Sequence, residues 1–378
     1  MHQWRSLHDA WWRLATQHQP RSVSDALACS LLQTGSFVYR IAVDLRNTAY
    51  ERGWAKSVTL PCRVVSVGNL TVGGTGKTSC VRLIAEKLSA RGKRVAVLSR
   101  GYGGSRRDYW LRWDHNRLLV NGAEQPFLDG LADEPLLLAR ALPGVPIVVG
   151  PRRDQTGQLA CTTFGADTVV LDDGFQHRRV RRDCDIVLVH ARMPLGGWAV
   201  LPRGPMREPL ASLARAHVIM VTKVDEALET LGAVTERLRA VNPEAVLVTA
   251  MHEPTDLLDS RSGSREEPQR LNGLRVGLIS SIGDPAGFES TIRRLHATIV
   301  WHQSFPDHYR YQQADVNGVI AQLNAIRPDA VVTTEKDWIR LQPWTVDRGP
   351  WTAPFWVLRV QMKIFSGEPE LDARLACL

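Results

Sequence analysis

The glycine-rich stretch VGNLTVGGTGKT, residues 67–78, constrains the fold of this chain more than any other feature. It follows the β-branched run RVVSVGN and precedes TSCVRLIAEKL, in which Val81, Ile84 and Leu88 recur at helical spacing. A glycine-rich loop between a buried strand and a helix is the setting of a P-loop, where backbone amides and the positive end of the helix face a phosphate. The sequence therefore predicts a phosphate-binding loop, although Thr71 stands where the strict pattern has its first glycine.

Each residue of this loop has a predicted task. The backbone N–H groups can point at phosphate oxygens, Lys77 can reach the β- and γ-phosphates, and the hydroxyl of Thr78 can bind Mg²⁺. The predicted cofactor-binding residues are Gly73, Gly74, Thr75, Gly76, Lys77 and Thr78. This chemistry indicates a nucleoside triphosphate with Mg²⁺ as the cofactor.

Apolar runs without alternation continue along the chain and predict the fold class. They are RVAVLSRG, PIVVG, TVVLDDG, DIVLVHA and HVIMVTK. Such runs are typical of parallel strands that helices cover on both faces. We expect an α/β fold with a P-loop NTPase-like, doubly wound, mostly parallel sheet.

A polar segment, DSRSGSREEPQR at 259–270, interrupts this pattern before LRVGLISSIGDPAGFESTIRRL begins a new strand, glycine turn and helix. We therefore predict a P-loop domain over residues 57–265 and a smaller α/β domain over 266–378 that contributes to the site. Residues 1–56 form a separate N-terminal segment.

The N-terminal segment has an amphipathic pattern. Leu31, Val38, Ile41 and Leu45 recur at helical spacing, and the uncharged stretch 26–39 is shorter than the roughly 20 residues that cross a bilayer. The surrounding residues are those of a membrane interface: Trp4, Trp11, Trp12, Trp54, Arg40, Arg46 and Arg52. The pattern predicts a helix that lies in a membrane interface, and the alternative is a helix packed on the protein's own core.

Charge and cysteine spacing limit the partners and the compartment. Lys plus Arg number 47 against 39 Asp plus Glu, so the net charge of +8 favours an anionic partner such as a nucleic acid, a phosphorylated substrate or an acidic lipid surface. The six cysteines contain no C-x-x-C pair, which argues against a zinc site or a disulfide framework. We expect no signal peptide and a reducing, cytoplasmic compartment.

Two pairs of carboxylates are candidates for metal binding and proton transfer. Asp172 and Asp173 follow the strand-like TVVL, where a P-loop protein holds its metal, although an Asp-Asp-Gly turn is the simpler interpretation. Asp133 and Glu134 precede Pro135 at a predicted helix start, where capping is the ordinary role. Beside a P-loop, such carboxylates can also accept the proton of an acceptor hydroxyl or bind Mg²⁺.

An ordered set of motifs over nearly the whole chain resembles the tetraacyldisaccharide 4'-kinase family. The motifs are VGNLTVGGTGKT, LSRGYGG, DEP, LDDGFQHR, LPRGPMREPL, FPDHY and TTEKD. The resemblance implies transfer of the γ-phosphate of ATP to the 4'-hydroxyl of a tetraacylated glucosamine disaccharide 1-phosphate in lipid A biosynthesis. It also implies a peripheral, monotopic location on the cytoplasmic face of the bacterial inner membrane, with no nucleic acid and no obligate protein partner.

The resemblance further implies residue roles. Asp133 is the general base, supported by His308, and Lys77 is the third catalytic residue. The implied metal ligands are Glu134, Asp173 and Glu208 with Thr78, and Asp172 stays a candidate beside Asp173 from its place after the strand. The predicted substrate-binding residues are Arg153 and Arg207. The sequence departs from the family pattern at Ala132, where glycine is common, and at Arg203, where LPAGP is usual.

Two other interpretations remain at this point. VTKVD at 221–225 resembles the segment that reads guanine in GTPases, which predicts a GTP-dependent switch or metallochaperone, but DEP, MREP and PDHY then have no task. The arginines of HRRVRRD, namely Arg178, Arg179, Arg181 and Arg182, are consistent with a nucleic-acid-binding ATPase. Because they are not interleaved with aromatic residues, we interpret most of them as a solvated or lipid-facing surface.

Overall fold

The structure, a computed structural model, describes most of the chain. The described residues are 11, 15, 22–114, 117–124, 130–192, 199–345 and 353–378. Their helices are α1 (Val23–Glu51), α2 (Lys77–Ala90), α3 (Asp133–Ala141), α4 (Arg153–Phe164), α5 (Leu231–Val241), α6 (Pro285–Arg294), α7 (Gln313–Ile326), α8 (Glu335–Thr345) and α9 (Glu368–Ala376).

The fifteen strands of the described residues form one sheet. They are β1 (Arg63–Asn69), β2 (Val95–Ser99), β3 (Tyr109–Asp114), β4 (Arg117–Val120), β5 (Ala123–Glu124), β6 (Ile147–Val149), β7 (Thr168–Asp172), β8 (Cys184–His190), β9 (Val218–Thr222), β10 (Val246–Asp259), β11 (Arg265–Glu266), β12 (Arg275–Ser280), β13 (Thr298–Ser304), β14 (Ala330–Thr334) and β15 (Phe355–Ser366). Their order is β13-β12-β14-β15-β10-β9-β8-β1-β7-β2-β6-β3-β4-β5, and β11 pairs with β10.

The sheet contains two parallel parts. Strands β10, β9, β8, β1, β7, β2 and β6 are parallel and form the first block, and β13, β12, β14 and β15 are parallel and form the second block. The two blocks join where β10 and β15 pair antiparallel. This arrangement confirms the predicted mostly parallel P-loop fold with a smaller α/β part.

The β10–β15 ribbon makes the two blocks face each other. Strand β9 pairs with the start of β10, and its carboxyl end at Thr222 lies beside Ala250. Strand β14 pairs with the part of β15 that lies opposite the far end of β10, and its carboxyl end at Thr334 points back toward the first block. The carboxyl ends of both parallel parts therefore border one cleft, which is where open α/β sheets bind ligands.

The core explains why the strand sequences lack alternation. Strands β1, β2, β7, β8 and β9 are buried along almost their whole length, because helices cover both faces. The predicted face of α2 is confirmed, since Val81, Ile84 and Leu88 are fully buried.

The predicted domain boundary at 265/266 stays a prediction. The sheet is continuous through β10 and β15, and the last helix, α9, packs on the first block. In that contact Lys87 of α2 binds Glu368 at 2.5 Å and Asp372 at 3.0 Å.

Helix α1 packs against the first block through one narrow face. Ser22 caps it by accepting a hydrogen bond from the Asp25 N–H, and its buried residues are Ser36, Val43 and Asn47. By length and composition alone, this helix of 29 residues could cross a membrane, whereas the uncharged stretch 26–39 considered in the sequence is only part of it. Of the predicted tryptophans, Trp11 donates to the carbonyl of Pro202 at 2.6 Å, whereas Trp4 and Trp12 lie outside the described residues.

Candidate active site

The P-loop connects β1 to α2 and is held in place by its neighbours. Gly76 precedes the first residue of α2 with φ +84°, and a Cβ at this position would lie 2.8 Å from Cε1 of His252 on β10. The side-chain amide of Asn69 donates to Oγ1 of Thr75 at 2.8 Å, and the hydroxyl of Thr222 donates to the carbonyl of Thr75 at 3.0 Å. The geometry therefore presents the amino end of α2 to an anion.

Strand register places the acidic pair beside this loop. Val67 of β1 pairs with Asp172 of β7, so the P-loop and the Asp172–Asp173 turn leave the sheet side by side. Lys77 Nζ lies 3.8 Å from Oδ1 of Asp173. Arg207 binds both oxygens of Asp173, at 2.9 and 2.8 Å. The structure thus brings four of the predicted site residues together.

The two aspartates have different electrostatic surroundings. Burial raises the pKa of Asp172 to about 7, and the nearby charges of Glu134 and Asp173 add to the effect. Burial also acts on Asp173, but the positive charges of Lys77 and Arg207 outweigh it and lower the pKa of that carboxyl. Asp172 is therefore a buried carboxylate near two other acidic groups, with a hydrogen bond from Ser99 at 3.1 Å.

These carboxylates fit a divalent cation. A cation beside Asp172 would favour its ionised form, which burial and the neighbouring carboxylates disfavour. Carboxylate and hydroxyl oxygens are the donors that Mg²⁺ prefers, and Thr78, Asp172, Asp173 and Glu134 supply them. Binding of Mg²⁺ is thus consistent with the donor set.

Asp133 is the first residue of α3 and meets side chains from the second block. Its Oδ2 accepts a hydrogen bond from Nε of Arg340 at 2.7 Å and lies 3.6 Å from Nδ1 of His308. Burial would raise the pKa of Asp133, but the hydrogen bond from His308 and the charge of Arg340 outweigh it and lower the pKa. The rings of Tyr102 and His308 pack in a T-shaped arrangement, with centroids 5.6 Å apart.

Glu134 lies beside the same histidine and has a cationic partner of its own. Lys336 Nζ is 3.5 Å from Glu134 and 3.1 Å from Asp307, and Nε2 of His308 is 3.9 Å from Glu134. Sequence reasoning assigned no role to Lys336 or Arg340. The sequence offered one indication of their shared location. Positions 336 and 340 are four residues apart, so their side chains lie on the same face of α8.

Comparison with known proteins identifies the family of this chain. The sequence model described as Tetraacyldisaccharide-1-P 4'-kinase (LpxK) matches residues 28–377. The chain belongs to the tetraacyldisaccharide 4'-kinase family. The resemblance seen in the sequence motifs is thereby confirmed, and the GTP-dependent alternative is not favoured.

Individual members of this kinase family are similar over most of their length. The tetraacyldisaccharide 4'-kinase of Anaeromyxobacter dehalogenans (strain 2CP-C) is 39% identical over 375 residues, which is 98% of this chain and 94% of that protein. The one from Syntrophus aciditrophicus (strain SB) is 40% identical over 321 residues, 83% of this chain and 84% of that protein. The crystal structure of LpxK from Aquifex aeolicus in complex with ATP superposes with a TM-score of 0.69 at 29% identity, covering 93% and 99% of the two chains.

The structure does not bring Glu208 together with the other carboxylates implied by the kinase family. This carboxylate is fully buried under α1. Its oxygens bind Arg46 at 2.9 Å, Asn47 at 3.0 Å and Arg215 at 2.8 Å. Burial would raise the pKa of Glu208, but Arg215 and Arg46 outweigh it and lower the pKa. Because both oxygens are already bound, this placement favours a structural role, and metal binding by Glu208 stays a prediction.

Arg153 is also placed differently from the substrate contact implied by the kinase family. The residue is 2% exposed, and it donates to the backbone carbonyls of Asp172 at 2.8 Å and Gly150 at 3.4 Å. Burial lowers the pKa of its guanidinium to about 10. Arg153 therefore supports the end of β7 from inside the fold.

Two arginines of HRRVRRD make contacts within the protein, whereas the sequence predicted a solvated or lipid-facing surface for most of them. Arg178 binds the carbonyl of Asn47 and the carboxylate of Glu51, both at 3.1 Å, and so ties α1 to the first block. Arg182 forms an ion pair with Asp185 at 3.2 Å in which both side chains are less than 10% exposed. The surface interpretation was wrong for these two residues.

The VTKVD segment contacts the second block. Lys223 forms an ion pair with Asp284, and Asp225 forms one with Arg294 of α6. A group of possible metal ligands among the described residues lies here, namely His190, Glu226 and Asp284. Its two carboxylates are paired with Arg192 and Lys223, so their charge is already compensated.

Proposed function

We propose that this chain transfers the γ-phosphate of ATP to the 4'-hydroxyl of a tetraacylated glucosamine disaccharide 1-phosphate, the reaction that the family name describes. The main structural support is the arrangement of side chains around the P-loop. Asp133 contacts His308 and Arg340, and Gly283 lies against both Asp307, which precedes His308, and Gly74 of the P-loop, so the two groups border one cleft. A carboxylate beside a phosphate-binding loop is what phosphoryl transfer to a hydroxyl requires.

The proposed reaction is direct in-line transfer. Lys77 and the loop amides bind the triphosphate and stabilise charge that develops on the transferred phosphoryl group. Asp133 accepts the proton of the 4'-hydroxyl as that oxygen bonds to the γ-phosphorus and the bond to the departing ADP breaks. No covalent phosphoenzyme is needed.

Thr78, Asp172 and Glu134 would hold Mg²⁺, with Asp173 beside them, and the bound ion would neutralise charge on the triphosphate. We assign the metal-facing position of the aspartate pair to Asp172, because Arg207 already binds both oxygens of Asp173. Through this contact Arg207 lies at the edge of the site. It is therefore the better candidate of the two predicted arginines for binding the substrate.

We further propose that α1 binds the cytoplasmic surface of the inner membrane in a monotopic manner. Its outer face exposes Leu27, Leu31, Val38 and Leu45, and Leu31 is 75% exposed. Arg40 on the same helix is 62% exposed, lies 3.6 Å from Asp44, and can meet anionic headgroups. The proposed partners are the lipid substrate and the membrane surface, with no nucleic acid and no obligate protein partner.

The function is tested by phosphate transfer in detergent micelles. Labelled γ-phosphate from ATP is followed to the 4'-position of a tetraacyldisaccharide 1-phosphate with the wild type and with Asp133→Ala. We expect label on the lipid with the wild type, near-complete loss with Asp133→Ala, and retained nucleotide binding. Hydrolysis of ATP by the wild type without labelled lipid would contradict the proposed acceptor.

A further inference from the structure

Arg340 connects the second block to the carboxylate of Asp133. Its side chain is 7% exposed, and its Nε donates to Oδ2 of Asp133 at 2.7 Å. The same guanidinium approaches Nδ1 of His308 at 3.5 Å. Both partners of Asp133, His308 and Arg340, are therefore supplied by the second block.

A buried aspartate, Asp337, fixes the position of Arg340 through Ser281. Asp337, on the first turn of α8, is completely buried and accepts hydrogen bonds from the Ser281 hydroxyl at 2.5 Å and the Ser281 N–H at 2.8 Å. Thr334 and Tyr311 also donate to its carboxylate, at 2.8 and 3.1 Å. The Ser281 oxygen in turn accepts from Nη1 of Arg340 at 2.7 Å. Because the single proton of this hydroxyl goes to Asp337, the oxygen is free to accept from Arg340.

The contacts on Asp133 distinguish its two oxygens. Among the described residues, the close contacts with Arg340 and His308 both fall on Oδ2. A carboxylate held through one oxygen presents the other in a fixed direction. Oδ1 is therefore the atom available to accept a proton from an acceptor hydroxyl.

We propose that Arg340 is the positioning residue for Asp133, and that the Ser281–Asp337 pair fixes its guanidinium. The proposal rests on the proposed function, in which Asp133 is the general base. The chain of hydrogen bonds from Asp337 through Ser281 and Arg340 to Asp133 makes the orientation of the base depend on the second block. Among the residues described, no hydrogen bond or ion pair joins Arg340 to the P-loop or Lys77, so we expect it to act on the proton transfer and not on nucleotide binding.

The simpler alternative is that Arg340 only holds the two blocks together. Arg294 offers a matched comparison, because its ion pair with Asp225 also joins the two blocks but lies at the VTKVD segment. An interblock contact alone predicts no loss of kcat in the folded fraction when either arginine is replaced. A positioning role predicts a loss of kcat for Arg340 only.

The experiment compares Arg340→Gln, Arg340→Lys, Ser281→Ala and Arg294→Gln in the lipid phosphorylation assay. For each variant, kcat, KM for ATP, KM for lipid, ATP affinity and thermal unfolding are measured. We expect kcat to fall about 100-fold in Arg340→Gln, with KM and affinity for ATP within about threefold of wild type, because misplacing a reacting group costs roughly this much. Arg340→Lys should recover about tenfold of the loss by restoring a cation, Ser281→Ala should lose about tenfold, and Arg294→Gln should keep the wild-type kcat.

Three results would overturn the proposal. They are a kcat in Arg340→Gln close to that of Arg294→Gln, a loss of ATP affinity that accounts for the loss of activity, or no recovery with Arg340→Lys. If Arg340→Gln does not fold, a wild-type kcat in both Arg340→Lys and Ser281→Ala would also overturn the proposal. Failure of the proposed function is distinguishable, because the wild type itself would then leave the lipid unlabelled.

Discussion

The hydroxyl of Tyr39 on α1 donates a hydrogen bond to the backbone carbonyl of Arg207 at 2.9 Å, while the guanidinium of Arg207 binds Asp173 beside the P-loop. The helix that exposes an apolar face thus braces the segment that reaches the active site. Ser36 makes a second contact, donating to the carbonyl of Val200 at 2.7 Å. Glu208 completes the attachment by binding Arg46 and Asn47 of the same helix.

Replacing Glu208 distinguishes a structural role from metal binding. Glu208→Gln leaves Arg215 without its buried counter-ion, so we expect a loss of about 3–5 kcal/mol in the free energy of unfolding. The Mg²⁺ concentration needed for half-maximal activity should not change in the folded fraction. Chemical denaturation and a Mg²⁺ titration measure the two quantities. An unchanged unfolding midpoint with a raised Mg²⁺ requirement would instead restore Glu208 as a ligand.

Gly76 should be required both for its backbone conformation and for its lack of a side chain. Gly76→Ala places a Cβ 2.8 Å from His252, in a left-handed conformation that costs roughly 1–2 kcal/mol for other residues. We expect ATP affinity to fall more than tenfold, as measured by calorimetry. Gly92→Ala is the matched control, because Gly92 has φ +77° but no atom within 4 Å of the added Cβ. Equal ATP affinities in the two variants would show that the close approach to His252 does not matter.

Local sequence patterns predicted the elements of the first block, since buried parallel strands and amphipathic helices produce characteristic runs. The run RVVSVGN coincides with β1, and the Asp-Asp pair follows β7 as expected. The partners of Asp133 were harder to find, because Arg340 lies 207 residues away in the chain and reaches it through the antiparallel β10–β15 junction. No local pattern encodes such a contact.

The predicted site residues that lie away from the P-loop have a related explanation. A motif fixes a residue's position along the chain but not the direction of its side chain. Adjacent Arg207 and Glu208 point to different partners, Asp173 and the α1 contacts, so one lies at the site and the other under the helix. Arg153 begins a helix but turns inward to the carbonyl of Asp172. Burial, which the sequence motif does not specify, decided each case.

The ion pairs of the VTKVD segment predict the choice of nucleotide. Guanine recognition by such a segment needs a free carboxylate, whereas Asp225 is paired with Arg294 and Lys223 with Asp284. We expect kcat/KM for GTP to be at least about tenfold below that for ATP, equivalent to roughly 1.4 kcal/mol of transition-state stabilisation. Parallel kinetics with the two nucleotides test this directly. Equal values, or a preference for GTP, would mean that these pairs open when a nucleotide binds.

The exposed face of α1 predicts how strongly the protein binds a bilayer. Leu27 and Leu31 are one turn apart and are 64% and 75% exposed, so both can enter the interface together. Burying each leucine is worth about 1.5–3 kcal/mol, and Leu27→Gln/Leu31→Gln should therefore lower the partition coefficient on anionic vesicles by at least about 100-fold. Leu228→Gln is the control, because Leu228 is 59% exposed but lies outside α1. Since neither substituted leucine contacts the P-loop, ATP affinity should stay at the wild-type value, and sedimentation with vesicles should separate the variants. If the double variant and the control sediment alike, the apolar face of α1 is not the surface that binds the membrane.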